Sequence, residues 1–231
     1  MTATTVLAVA AHPDDELLGC AGTLARHAAA GDRVHVVLMA EGATARDAVR
    51  DAARRGDELA RLERAAAEAA RVLGVEPPRF FGFPDNRMDS LPILDVTKAV
   101  EEALTEFRPS VVYTHHGADL NRDHRIVHEA VLTACRPLPG RSVRRLLTFE
   151  TLSSTEWSSE SIGPAFKPRH FVDISATLDV KLRALDCYGG EMRAFPHPRS
   201  AEAVAALAKL RGSQVGVSAA EGFDVIFSIE P

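Results

Sequence analysis

Near the N-terminus, His12-Pro13-Asp14-Asp15-Glu16 pack an imidazole and three carboxylates around a proline. Such side chains cannot all be buried unpaired. The plainest reading is a solvated turn in which Asp14 or Asp15 caps a helix beginning near Leu17. A second turn, Tyr113 to His124, holds His115, His116, Asp119, Asn121, Asp123 and His124. Imidazole and carboxylate are the donor set of catalytic zinc, which takes three protein ligands and leaves a position for water and substrate. His12, Asp15 and one histidine of the second turn supply that set. His124 opens a helix at the sheet edge. His128 shares its helical face and competes for the role, but lies one turn, about 5 Å, further from that edge. One of His115 and His116 is expected to point into the core, satisfied by a backbone partner.

The elements that position these turns alternate. Val6 to Ala11 is a short apolar run, the pattern of a strand buried on both faces, and Leu17 to Ala30 follows with helical spacing. Val34 to Ala40 and Arg79 to Phe83 are further strands, separated by a long helix from Asp47 to Leu73 that Gly74 closes. After a polar loop, Pro84 to Pro92, come a helix from Asp95 to Phe107, a strand from Ser110 to His115 and a helix from Asp123 to Cys135. Arg144 to Phe149, His170 to Ile174 and Asp224 to Ile229 are expected as later strands, Leu178 to Tyr188 and Ala201 to Arg211 as helices. The alternation predicts an α/β fold, a mostly parallel sheet with helices on both faces, in one domain over residues 1–231. Ligands of such sheets bind beyond the C-terminal strand ends, where both histidine turns fall.

Composition narrows the partners. With 32 acidic against 27 basic side chains the net charge is -5, so no basic face for nucleic acid is indicated. Cys20, Cys135 and Cys187 are odd in number and far apart, which argues against a disulfide framework or thiolate zinc site and fits a reducing cytoplasm. Cys20 and Met39 read as core. No apolar run approaches the roughly 18 residues that span a bilayer, so no membrane is expected. Gly19-Cys20-Ala21-Gly22 offers two glycines but not the G-x-G-x-x-G fingerprint of dinucleotide binding. A homo-oligomer stays open.

Ala11 to Glu16 reads A-H-P-D-D-E, and Asp119 to His124 ends in D-H at a helix start. With these motifs the sequence resembles the PIG-L or LmbE-like metal-dependent N-deacetylases. The resemblance implies a three-layer Rossmann-like fold and a hydrolase acting on an acetamido sugar. It further implies that His12, Asp15 and His124 bind Zn2+ and that Asp14 is the general base. Zinc lowers the pKa of a water toward about 7, a neighbouring carboxylate takes its proton, and the ion polarises the amide carbonyl. The sequence departs from the family at Asn121, where many members carry a histidine. Asparagine can donate to an oxyanion but cannot titrate, so a separate histidine acid requires His116 or His197 in its place. In the family Asp123 orients that missing histidine; helix capping is its other reading.

Substrate-binding candidates are His116, His197, Arg46, which follows the second strand, and Arg87, with Arg199 a further anion ligand. Trp157 sits in a polar loop, where it could stack on a sugar or pack in the core. The favoured substrate is a soluble glycoside, nucleotide sugar or secondary-metabolite intermediate carrying N-acetylglucosamine. The alternative is a non-catalytic carbohydrate- or nucleotide-sugar-binding relative, which Asn121 keeps open.

Overall fold

The computed structural model describes residues 3–46, 51 and 53–230, and the side chain of Arg46 lies outside the described residues. Strands β1 (Thr5–Ala10), β2 (Arg33–Ala40), β3 (Arg79–Phe83), β4 (Val111–His115), β5 (Arg145–Phe149), β6 (His170–Asp173) and β7 (Ala220–Ser228) form one sheet in the order β3-β2-β1-β4-β5-β7-β6. All pairings are parallel except those of β7, which runs antiparallel to both β5 and β6. The helices are α1 (Asp15–Ala29), α2 (Gly56–Leu73), α3 (Ile93–Phe107), α4 (Arg122–Ala134), α5 (Leu178–Asp186) and α6 (Ala201–Ser213).

The alternation of β1 builds three layers. Val6, Ala8 and Ala10 face one core with Leu17 and Leu24 of α1, Leu62 and Ala66 of α2, and Ala184 of α5. Leu7, Val9 and Ala11 face the other with Val96 and Val100 of α3 and Val127 and Val131 of α4. Successive side chains of a strand leave opposite faces, so an unbroken apolar run requires helices on both sides. Cys20 and Met39 are fully buried.

Most boundaries fall within about two residues of expectation, and two do not. Residues 47–50 and 52 lie outside the described residues, so the expected helix start at Asp47 is not described, and α2 begins at Gly56 after a short 3-10 turn, Ala53–Arg55. Strand β7 begins four residues before Asp224, because Ala220, Glu221, Gly222 and Phe223 pair with β6 and are all buried.

Helix α1 is broken at Cys20, whose φ of -145° is not helical. Glu221 repairs the break by accepting from the N–H groups of Gly22 (3.0 Å) and Thr23 (2.7 Å). Lys181 donates to the Leu18 carbonyl (2.8 Å) and to Glu221 (2.7 Å). This buried ion pair satisfies free backbone groups at the break, which is what makes burying both charges tolerable. Gly19 and Gly22, the pair outside any dinucleotide fingerprint, serve packing: a Cβ on Gly19 would stand 2.2 Å from the Phe149 ring.

Candidate metal centre

Three donor atoms converge beyond the ends of β1 and β4. Asp15 Oδ2 stands 3.1 Å from His12 Nδ1 and 3.1 Å from His124 Nε2, and those two nitrogens are 3.3 Å apart. The donor set fits a metal ion. Tetrahedral N and O ligands held at about 2.0–2.1 Å from zinc have edges of about 3.3–3.4 Å. Asp15 Oδ1 is buried with no hydrogen-bond partner among the described residues. The field also suits a cation. Burial opposes charge on His12, yet Asp123 and Asp15 hold its proton affinity well above the ordinary value. His124, despite the same opposing burial, is pushed up to about 9 by Asp15 and Asp119.

Each imidazole is held from behind by a carboxylate. His12 Nε2 is 3.2 Å from Asp123 Oδ2 and 3.4 Å from Asp85 Oδ1, which leaves Nδ1 for the trio when Nε2 carries the proton. His12 Nε2, Asp85 and Asp123 form a second cluster able to hold a metal, but its carboxylates are otherwise engaged. Asp123 Oδ1 accepts from Met88 N (3.0 Å), and Asp85 accepts from Ala45 N and Asn86 Nδ2. On the far side, His124 Nδ1 stands 3.1 Å from Asp119 Oδ1. Asp119 is itself fixed by the hydroxyls of Ser154 and Thr155 and by Asn121 N. Burial works to raise the Asp119 pKa, but His124 and the two hydroxyls bring it down to about 2.

Asp14 sits at the start of α1 with a left-handed φ of 103° and makes no capping hydrogen bond, contrary to the plainest reading of the turn. Its N–H donates to Glu16 Oε2 (3.1 Å), and Glu16 Oε1 receives Tyr188 OH (3.4 Å). Asp14 Oδ2 accepts from Arg199 Nη1 (2.8 Å), while Oδ1 is buried and has no partner among the described residues. Burial raises the Asp14 pKa to about 7, the nearby Arg199 charge opposing and Asp15 adding to the rise. A carboxylate that takes up a proton near neutrality has the affinity a general base needs.

Asn121 caps α4: its side chain accepts from Asp123 N (2.8 Å), and its Nδ2 donates to Asn86 Oδ1 (2.9 Å). The cap is therefore Asn121 and not Asp123. His115 is fully buried, its ring stacked on His124 at 3.9 Å, and it accepts from Ala11 N. His128 turns away from the trio, with Nδ1 donating to the His115 carbonyl (2.9 Å) and its ring against Gly117. His116 is 3.0 Å from the Pro164 carbonyl and lines a cavity of about 270 Å³ with Glu150, Phe166 and Arg211. His197 accepts from Arg199 N within the loop before α6. Arg87 lies half-buried in the turn after β3, Arg46 ends a 3-10 turn after β2, and Trp157 is 54% exposed. Sequence reading missed the work of Asp119, Glu16 and Asp85. It named Arg199 only as an anion ligand.

The profile described as GlcNAc-PI de-N-acetylase (PIG-L) matches residues 7–135, and the chain belongs to that family. It is 33% identical to the Escherichia coli protein named uncharacterized deacetylase YaiS over 186 residues, 78% of this chain and 88% of that one. It is 34% identical over 164 residues to 1D-myo-inositol 2-acetamido-2-deoxy-alpha-D-glucopyranoside deacetylase 1 of Saccharopolyspora erythraea, covering 58% of this chain and 54% of that relative. Among solved structures, N,N'-diacetylchitobiose deacetylase from Pyrococcus horikoshii shares the fold with a TM-score of 0.76 at 22% identity, over 97% of this chain and 84% of that one.

Proposed function

We propose that the chain is a single-domain, zinc-dependent N-deacetylase that hydrolyses the acetamido group of a small N-acetylglucosamine-type sugar. The observation that carries the reading is the trio of His12, Asp15 and His124 beside a carboxylate oxygen, Asp14 Oδ1, that is buried and unpartnered. When bound, zinc supplies Lewis-acid polarisation of the acetamido carbonyl and lowers the proton affinity of a nearby water. His12, Asp15 and His124 hold the ion, and Asp123 and Asp119 hold the two rings in register. Asp14 takes the proton of the attacking water at Oδ1 and returns it to the departing amine. Arg199 anchors Oδ2, so the free oxygen keeps one direction. His116, His197, Arg46 and Arg87 are the proposed contacts to the rest of the substrate.

No helix among the described residues is long and apolar enough to cross a membrane, and Cys20, Cys135 and Cys187 are all free thiols. The free thiols support the proposed reducing, cytoplasmic setting. The test is a zinc-loaded preparation offered a panel of N-acetylglucosamine conjugates, read by released acetate and by elemental analysis. About one zinc per chain and acetate from at least one conjugate are expected. Sugar binding without acetate release from a zinc-loaded chain would replace this reading with that of a carbohydrate-binding relative.

A further inference from the structure

We propose that a cavity between the last turns of α1 and the β4, β5 and β6 strands binds an oxyanion, the phosphate or carboxylate of a small molecule, through Arg145 and His170. The cavity measures about 290 Å³, the small end of ligand sites, and Arg26 and Tyr113 also line it. No carboxylate is among its lining residues. That is a local reversal in a chain with 32 acidic and 27 basic side chains.

Topology brings these groups together. Arg145 opens β5 on the face that continues through Leu147 and Phe149, and His170 opens β6 two residues before Val172 on that same face. Tyr113 reaches the same face from β4 and packs on Phe223, as does His170. His27, in the last turn of α1, forms the opposite wall. Its Nδ1 is 2.7 Å from Asp32 Oδ2 and its Nε2 is 3.1 Å from Tyr113 OH. Arg26 donates to the Asp173 carbonyl at the lip (3.0 Å).

Arg145 carries the argument. Among the described residues its guanidinium has no ion-pair or hydrogen-bond partner, although it is half-buried. Arg79, Arg199 and Arg211 each meet a carboxylate. Asp32 is taken up by His27, and the Arg145 guanidinium has no carboxylate of its own; its planar fork of donors suits a phosphate or carboxylate. His170 feels the same field: burial first, then the Arg145 charge, lowers its proton affinity. None of the residues lining the cavity belongs to the metal-centre trio: Arg145 lies at the end of β5 opposite Phe149 and the histidine turns, roughly 13 Å away at about 3.3 Å per residue, and His170, in register with Phe223 and through it with Phe149, enters from β6, two strands along the sheet.

The inference does not depend on the deacetylase reading, and neither does its test. Metal-loaded protein is titrated separately with inorganic phosphate and with succinate, read by calorimetry and by the rise in melting temperature. Saturable binding of either anion is expected, weakened about tenfold or more in Arg145→Met and in His170→Gln, with metal content unchanged. The anion bound more tightly identifies the source as phosphate or carboxylate. His170→Gln guards against misfolding of the arginine variant. Binding that survives both substitutions, binding abolished only by His12→Ala, or no binding of either anion overturns the proposal.

Discussion

The two turns that meet at the catalytic edge use the same residue types in opposite ways. In the first, Asp14 adopts a left-handed backbone that a non-glycine residue holds at a cost of about 1–3 kcal/mol, and it leaves Oδ1 unpartnered. In the second, Asn121 caps α4 from an unstrained φ of -68° and both of its amide atoms are used. Asp119 and Asp123 accept from hydroxyls, backbone amides and an imidazole. Four aspartates of identical intrinsic chemistry thus divide by satisfaction. Asp14 and Asp15 keep an unsatisfied oxygen, and Asp119 and Asp123 keep none. Of the six buried polar atoms left unpaired among the described residues, these two are the carboxylate oxygens, and they stand beside the trio, where a ligand or a proton fits.

The sharpest way to break this comparison is to remove members of the trio. His12→Ala, Asp15→Ala and His124→Ala are each expected to lose the metal and turnover with it, while His128→Ala keeps both; elemental analysis and acetate release decide. If His128→Ala loses the metal and His124→Ala does not, the third ligand is misassigned. Next in size is Asp14→Asn, which should retain zinc and lower turnover roughly 10²-fold or more, the scale of a general base. Retained turnover would move the base elsewhere.

Smaller effects test the supporting turn. Asp119→Asn and Asp123→Asn should weaken zinc about 10–100-fold in a competition titration while the far-ultraviolet spectrum is unchanged, because each removes a charge behind an imidazole and not a ligand. The smallest expected change is Asn121→Ala. Loss of the cap costs about 1 kcal/mol, a fall in melting temperature of roughly 2–4 °C for a chain of this size, with turnover nearly unchanged. Were Asn121 an oxyanion donor instead, turnover would drop about 10²-fold, and the division between a reactive and a supporting turn would fail.

What was readable in the sequence was what is local or periodic. The apolar run of β1 implied two covered faces, and the A-H-P-D-D-E box lies within one turn. The partners of that box are remote: Arg199 is 185 residues from Asp14, and Tyr188 is 172 from Glu16. Asp119 looked like part of a polar turn because its role depends on Ser154 and Thr155, supplied by a loop beyond β5. Asn121 read as an oxyanion donor because its amide suits that task. That one Nδ2 hydrogen is held by Asn86, 35 residues away, was not readable in the sequence. The start of β7 was missed for a related reason: what holds Glu221 and Gly222 is remote, β6 pairing with both and the break in α1 meeting Glu221.

The place of β7 between β5 and β6 sets an order of assembly. Strands β1 to β5 can pair as the chain emerges during synthesis, but the free edge of β5 waits for residues 220–228, far downstream of it. Glu221 arrives with them, so the second half of α1 has no acceptor for Gly22 and Thr23 until then. A nascent chain therefore carries both histidine turns on an unfinished sheet with an open edge, the kind of edge that recruits a second chain. The half of the molecule that carries both histidine turns is written before the strand that secures it.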